Sequence, residues 1–373
     1  MAASVVLARR LSPLATRLGE GGTWDYLTVL AALGSVDLTT ARVVEPHLDA
    51  LAILHQAGMS PREVESLLAL RVGARAGRPD RRGPDDPGST VGATPSDDAN
   101  RAVAPEGSGG TWGVYAAESP GTTLAAIGSD DAGWSLRGVK PWCSLGDRIT
   151  HAVVTAGTPD GQRRAFAVRL DDRVRAQEGD DAWISRGLAA VRSTPLSFDD
   201  APAVPVGGPG WYVSRPGFAW GGVGVAAVWY GAAVALADAL RAAARARTPD
   251  QVALAAIGSL DADLHATAVT LQDAAAGIDA GEAEGQSGAL LAARVRAVAA
   301  RAAEGSLNIV GQALGAGPLC LDEEHARRVA DLTVYVRQHH ASRDHARLGQ
   351  LLLDGDTTGD TRDGTVPPTP ARA

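Results

Sequence analysis

Trp134-Ser135-Leu136-Arg137-Gly138-Val139-Lys140-Pro141-Trp142-Cys143-Ser144-Leu145-Gly146 places an indole and a hydroxyl two residues apart, just after a basic turn that contains glycine. In an extended segment, side chains at i and i+2 leave the same face of the backbone. Trp142 and Ser144 can therefore meet one flat ligand, the indole over its plane and the hydroxyl at its polar edge. A heterocycle with a polar rim, such as a flavin, would suit the pair.

Outward from this stretch the pattern of the chain changes twice. Residues 23–33 and 39–57 carry helical periodicity, with Asp37 or Thr39 as N-cap of the second segment, and Pro61 opens a third helix. Residues 74–110 are rich in Pro, Gly, Arg and Asp with hardly a large apolar side chain, which predicts a disordered insertion. From Thr111 the period becomes two, with short runs at 112–116, 133–136, 151–156, 164–170 and 194–198 between turn residues. These predict a mainly antiparallel β-domain. After Gly217 helical patterns return at 221–246, 249–276, 288–314 and 322–353, and the last residues are Gly-, Thr-, Asp- and Pro-rich.

That order predicts an α+β fold: an N-terminal helical domain over 1–73, the insertion at 74–110, a middle β-domain over 111–210, a C-terminal helical bundle over 211–353 and a disordered tail at 354–373. At 373 residues with 45% hydrophobic side chains the chain can bury a sizeable core, and only 4% aromatics point to close-packed helices. A net charge of −8 gives no basic footprint for nucleic acid or an anionic membrane. The two cysteines, Cys143 and Cys320, form no disulfide framework and have no metal-ligand spacing. The N-terminal order, apolar residues before Arg9-Arg10, is the reverse of a secretory signal. No run matches an uninterrupted membrane span, 223–240 coming nearest, so the expectation is a cytoplasmic protein without membrane insertion or metal.

Four further segments accompany the opening stretch: Ala116-Ala117-Glu118-Ser119-Pro120-Gly121, the Gly-rich apolar helix at 221–240, Leu307-Asn308-Ile309-Val310-Gly311-Gln312-Ala313-Leu314-Gly315, and Arg327-Arg328-Val329-Ala330-Asp331. In that order they resemble the acyl-CoA dehydrogenase family of flavoproteins across residues 20–350. The family's Gly-x-Lys-x-Trp-Ile-(Thr/Ser)-Asn-Gly segment is similar to Gly138–Gly146 here. The resemblance implies an N-terminal helical domain, a middle β-domain and a C-terminal four-helix bundle around FAD. It places Trp142 against the isoalloxazine, the Ser144 hydroxyl at the reactive nitrogen edge, and the backbone of Ala117, Glu118 and Ser119 at the pyrimidine edge. For the adenosine and pyrophosphate it implies Arg245 or Arg247, Gln251, Asn308 and Gly311, partly from a neighbouring subunit, hence a homodimer or homotetramer. The usual Phe-Gly after the Arg is absent.

By the same resemblance the activity is α,β-desaturation of an acyl-CoA or related thioester, with electrons passing to an electron-transfer flavoprotein. A carboxylate base is then required. The matching region, Tyr335-Val336-Arg337-Gln338-His339-His340, contains none, and the alternative family position before Gly221-Gly222 corresponds to Arg215. Monooxygenases of the same fold resemble this chain in pairing a middle-domain Ser with a His in the last region, which here would be Ser144 and His339. A non-catalytic relic of the fold, serving as a binding partner, is the third reading, motivated by Arg215 and Arg337. Glu323, Glu324 and Asp331 read as helix-start charges and bundle pairs, Cys143 as a buried thiol, and the Gly221 run as a site of close helix packing. His47 and Asp49, at i and i+2 on a helix near Glu45, diverge and make no metal face.

Overall fold

The computed structural model describes residues 1–76, 109–176, 183–246 and 248–357. It begins with α1 (Ala2–Leu11), a 3-10 turn (Ser12–Arg17), α2 (Thr23–Val36), α3 (Leu38–Gln56) and α4 (Pro61–Ala76). Asp37 caps α3 by accepting the Thr40 N–H at 2.9 Å. Ser60 and Glu63 close a reciprocal capping box around Pro61 at the start of α4. The predicted insertion at 74–110 lies outside the described residues except at its edges, where residues 74–76 complete α4.

Seven strands follow: β1 (Trp112–Tyr115), β2 (Leu124–Ser129), β3 (Gly133–Ser144), β4 (His151–Gly157), β5 (Arg163–Arg169), β6 (Val174–Ala176) and β7 (Ser193–Val206). Pairing runs β4-β2-β3-β7-β5 and returns from β5 to β4, so five strands close on themselves, with β1 on β4 and β6 on β7. Closure leaves the free edges to the short strands β1 and β6. Leu136, Val154, Phe166 and Val168 are fully buried among these strands. The expected antiparallel pattern holds for most pairs, but β1 and β4 run parallel, as do β2 and β4 at their single pair Ala125↔Gly157. A parallel neighbour needs a long crossover, and β2 and β3 occupy the chain between β1 and β4.

The C-terminal part comprises α5 (Trp211–Ser214), α6 (Pro216–Arg245), α7 (Gln251–Asp279), α8 (Gly285–Leu314), α9 (Ala316–Leu321), α10 (Glu323–Tyr335) and α11 (Ser342–Thr357). Helices α6, α7 and α8 pack on one another, α11 lies on α8, and α2 covers another side of α6. The α2–α6 crossing is a backbone contact: a Cβ on Gly231 would stand 1.8 Å from the Ala31 carbonyl oxygen, and one on Gly34 2.2 Å from that of Val228. Helices α6 and α7 are both long and apolar enough to cross a membrane, but 72% of the apolar window of α6 is buried inside the protein.

The single helix expected at 322–353 is two. Helix α10 ends in a 3-10 turn at Val336–Gln338, His339 is extended (φ −89, ψ 116), Ala341 turns left-handed (φ 48), and α11 starts afresh. His339 and His340 therefore occupy a break, not the polar face of a continuous helix. Helix α11 continues through residues 354–357, the beginning of the expected tail; the rest of that tail lies outside the described residues. Glu323 and Glu324 do sit in the first turn of α10 and pair with Arg327 and Arg328 at i+4, while Asp331 accepts the Leu188 N–H.

Candidate active site

The break between α10 and α11 forms one wall of a cavity of about 710 Å³. The start of α6 supplies Arg215, Gly221 and Gly222, α8 supplies Arg296, and α3 supplies Glu45 and Asp49. Tyr212 and Phe218, edge to face at 5.6 Å, give it an aromatic side. His339 lines it from the break. Glu45 and Asp49 are at i and i+4, so one face of α3 delivers both carboxylates. That spacing was legible in the sequence; what it faced was not.

Each charge on the wall has a defined environment. Glu45 is buried, which pushes its carboxyl up, against the Arg42 guanidinium that pairs with it at 2.7 Å. The Tyr335 hydroxyl donates to Glu45 at 3.3 Å, and Arg42 also lies 5.1 Å from the centre of that ring. Burial likewise raises Asp49, opposed by Arg215 at 3.7 Å. Arg215 donates to Gln56 Oε1 at 2.7 Å and lies over the Tyr212 ring. Arg296 stacks on Trp229 at 4.8 Å and donates to the carbonyls of Gly222 and Gln338. His339 is pushed down by burial, with Asp344, 4.0 Å from Nε2, pulling the other way. A lowered pKa keeps its imidazole neutral at pH 7.

Ser144 does not line this cavity. Its hydroxyl accepts from Arg42 Nη2 at 3.2 Å and shares a 2.7 Å hydrogen bond with Ser193. Ser144, Arg42 and Glu45 form a chain of contacts from the strands to the cavity wall on which His339 lies. A β-bulge between Lys140 and Cys143 breaks the register of β3 with β7. It leaves Trp142 left-handed (φ 58) and 57% exposed, with Ser144 half-buried and Cys143 buried between them. Burial pushes the Cys143 thiol up to about 12, the behaviour of a structural thiol.

Beside Trp142, residues Ala117, Glu118 and Ser119 line a second cavity of about 250 Å³ with Thr122, Lys140 and Thr155. Lys140 is buried and donates to the carbonyl and hydroxyl of Thr155, both at 2.9 Å, and burial lowers it to about 8. The Glu118 side chain pairs with Arg163, leaving its backbone as the polar group available in the cavity. The hydroxyls and the buried ammonium of this cradle suit the polar edge of a flavin nucleotide, while Trp142, which follows the lining Pro141, is exposed, and neither it nor Ser144 lines either cavity. The adenosine set is elsewhere. Arg245, Gln251 and Asn308 are exposed, and Arg245 borders a separate groove with Arg241 and Leu254. Asn308 accepts from Gln312, and Gly311 faces open space. Arg245 is twenty residues beyond the cavity-lining Val225 on one helix, roughly 30 Å along its axis. Arg247 lies outside the described residues. His47, whose spacing from Asp49 makes no metal face, is structural: Nδ1 accepts the Trp112 N–H at 3.1 Å, so Nε2 carries the proton and donates to Ser12 at 3.0 Å.

No family model and no curated protein matches the chain. Among solved structures it is similar to TdsC from Paenibacillus sp. A11-2 in complex with FMN and indole, with a TM-score of 0.70 and 16% identity over 93% of this chain and 89% of that one. It is similar to KijD3 in complex with FMN and a dTDP-linked amino-keto sugar, with a TM-score of 0.66 and 19% identity over 96% and 87%. A probable acyl-CoA dehydrogenase from Mycobacterium abscessus gives a TM-score of 0.50 and 17% identity over 59% and 61%. The fold is that of the acyl-CoA dehydrogenase superfamily. Gln338, His339 and His340 of the α10–α11 junction line the large cavity.

Proposed function

We propose that this protein is a flavin-dependent monooxygenase acting on a small molecule held in the 710 Å³ cavity. The observation that carries the reading is that the cavity presents Arg215, at one of the positions where the resemblance puts a dehydrogenase base, and His339, from the segment that contains the other, while Arg337 pairs with Glu304 outside the cavity lining. The likeness to TdsC, described as a dibenzothiophene monooxygenase, supports it and extends over far more of the chain than the likeness to the dehydrogenase.

Trp142, Ser144 and the backbone of Ala117, Glu118 and Ser119 would hold the flavin, which when bound supplies the redox chemistry. Ser144, fixed by Arg42 and Ser193, presents a hydroxyl of set direction. His339 Nε2 is buried without a hydrogen-bond partner and can take a proton from a substrate hydroxyl or N–H. Asp344 stabilises the imidazolium that results. The aromatic side formed by Tyr212 and Phe218 excludes water from one flank of the substrate. One chain supplies the ring and polar-edge contacts; the adenosine half of FAD would need Arg245, Gln251, Asn308 and Gly311 of a second copy.

Oxygen uptake by the flavin-loaded protein with an external flavin reductase and a panel of small aromatic and alicyclic compounds tests this. One compound should stimulate uptake and be oxygenated, and His339→Ala should lower that rate on the order of 10²-fold. Full compound-dependent oxygenation by His339→Ala would remove His339 from the mechanism. A second reading, desaturation of an acyl thioester with electrons passed to an electron-transfer flavoprotein, is favoured by one observation: the Asp49 carboxylate reaches the cavity and could serve as a relocated base.

A further inference from the structure

The cavity contains polar atoms that the fold leaves unanswered. Asp49 Oδ1 and Arg215 Nε are both enclosed and lack a hydrogen-bond partner. Their closest approach, Arg215 Nη2 to Asp49 Oδ1, is 3.7 Å, an ion pair too long to be a hydrogen bond. The Asp49 side chain keeps 16% of its surface open, and Arg215 only 2%. Enclosed polar atoms without partners are costly, and the part of the Asp49 side chain that stays open is where a ligand in the cavity can meet this pair.

Gly221 faces the same carboxylate: a Cβ there would stand 3.1 Å from Asp49 Oδ1. The bare backbone packs close to the carboxylate there, so even a methyl group would press on it. Charge then selects the group. Glu45, Asp49 and Asp344 stand among Arg215, Arg296 and Arg347, with Arg42 behind Glu45, so carboxylates and guanidiniums are interleaved along the lining. Glu45 already holds Arg42, and Arg296 is spent on two carbonyls and the Trp229 ring. Asp49 is the acceptor left over. Resting on the reading of this cavity as the substrate site, we infer that Asp49, oriented by Arg215, is the specificity-determining residue and selects a neutral substrate that presents a hydroxyl or amide N–H. A site built to accept a hydrogen bond discriminates strongly against an analogue that lacks the donor.

The test uses the flavin-loaded protein and four probes of one shape: 2-naphthol, 2-methoxynaphthalene, 2-naphthoate and 2-naphthylmethylammonium, titrated by quenching of protein fluorescence. The expected result is that 2-naphthol binds at least about 10-fold more tightly than each of the other three. Asp49→Asn should reduce that preference to about 3-fold or less, because the charge-assisted acceptor is lost. Gly221→Ala, which places a methyl against the same oxygen, should weaken 2-naphthol alone and leave flavin retention unchanged. Equal affinity for all four probes, no binding of any of them, tighter binding of a charged probe, or an intact preference in both variants would overturn the inference. Flavin retention and oxygen uptake are read on the same samples. A donor preference without oxygenation would sink the monooxygenase reading and spare this one, and oxygenation without a donor preference would do the reverse.

Discussion

Trp142 and Ser144 are two residues apart yet do different work. Trp142→Ala should weaken flavin retention, measured as flavin lost on gel filtration, because its half-open indole makes little contact with the core. Ser144→Ala should alter the rate of flavin oxidation with thermal stability nearly unchanged; equal flavin affinity and turnover in both variants would contradict this assignment. Arg42→Ala is predicted to behave otherwise. It strips the counter-charge from buried Glu45 and should cost about 3 kcal/mol in chemical denaturation. At this scale spacing or resemblance pointed to Trp142, Ser144, His339 and the 117–119 backbone, of which His339 lies on the large cavity and 117–119 on the small one. Asp49 was not found in this way, because its role comes from Arg215, 166 positions later, and no local pattern signals that approach.

The elements show where local reading stops. Asp37 at the head of α3 was readable because a cap is a short-range contact. The break after α10 was missed: residues 336–341 contain neither Gly nor Pro, and Ala341 takes its positive φ where the chain turns to start α11. The bulge at Trp142 was missed for a related reason, since Trp seldom adopts a left-handed backbone. Of the Gly221 run, expected to serve close helix packing, Gly224 meets Leu30 and Tyr26 of α2 but Gly221 and Gly222 line the cavity, and the backbone contact falls further along α6 at Gly231. Gly231→Ala would drive a methyl into the Ala31 carbonyl and should destabilise the fold by more than about 2 kcal/mol. Substitution at Gly258 on α7, where a Cβ meets nothing, should be neutral or stabilising. Thermal melts of the two variants decide the contrast.

For the whole molecule, buried histidines set the response to acid. His47 and His151 are each lowered from 6.5 to about 4, first by burial and then by Arg9 and Arg169. A depressed folded-state value means that the unfolded chain binds the proton more readily. Their contribution, roughly 3 kcal/mol each, is therefore complete above pH 6.5 and lost as the pH falls toward 4. Denaturant midpoints at pH 7.5 and 4.5 should differ accordingly. A second whole-molecule feature is α7, whose Val252 (76%), Leu254 (54%) and Val269 (50%) stand exposed. We expect a second copy to cover them and to bring its Arg245 and Asn308 groups to a shared cofactor, so sedimentation should show a dimer or tetramer. A monomer that retains full flavin affinity would refute that expectation.

The most direct test of the central claim is anaerobic addition of a panel of acyl-CoA esters to the flavin-loaded protein while its visible absorption is recorded. With Arg215 and Arg337 at the two positions where the resemblance puts a dehydrogenase base, the flavin bands should persist with every ester. Bleaching by any one of them would contradict the monooxygenase reading and make Asp49 the base of a dehydrogenase.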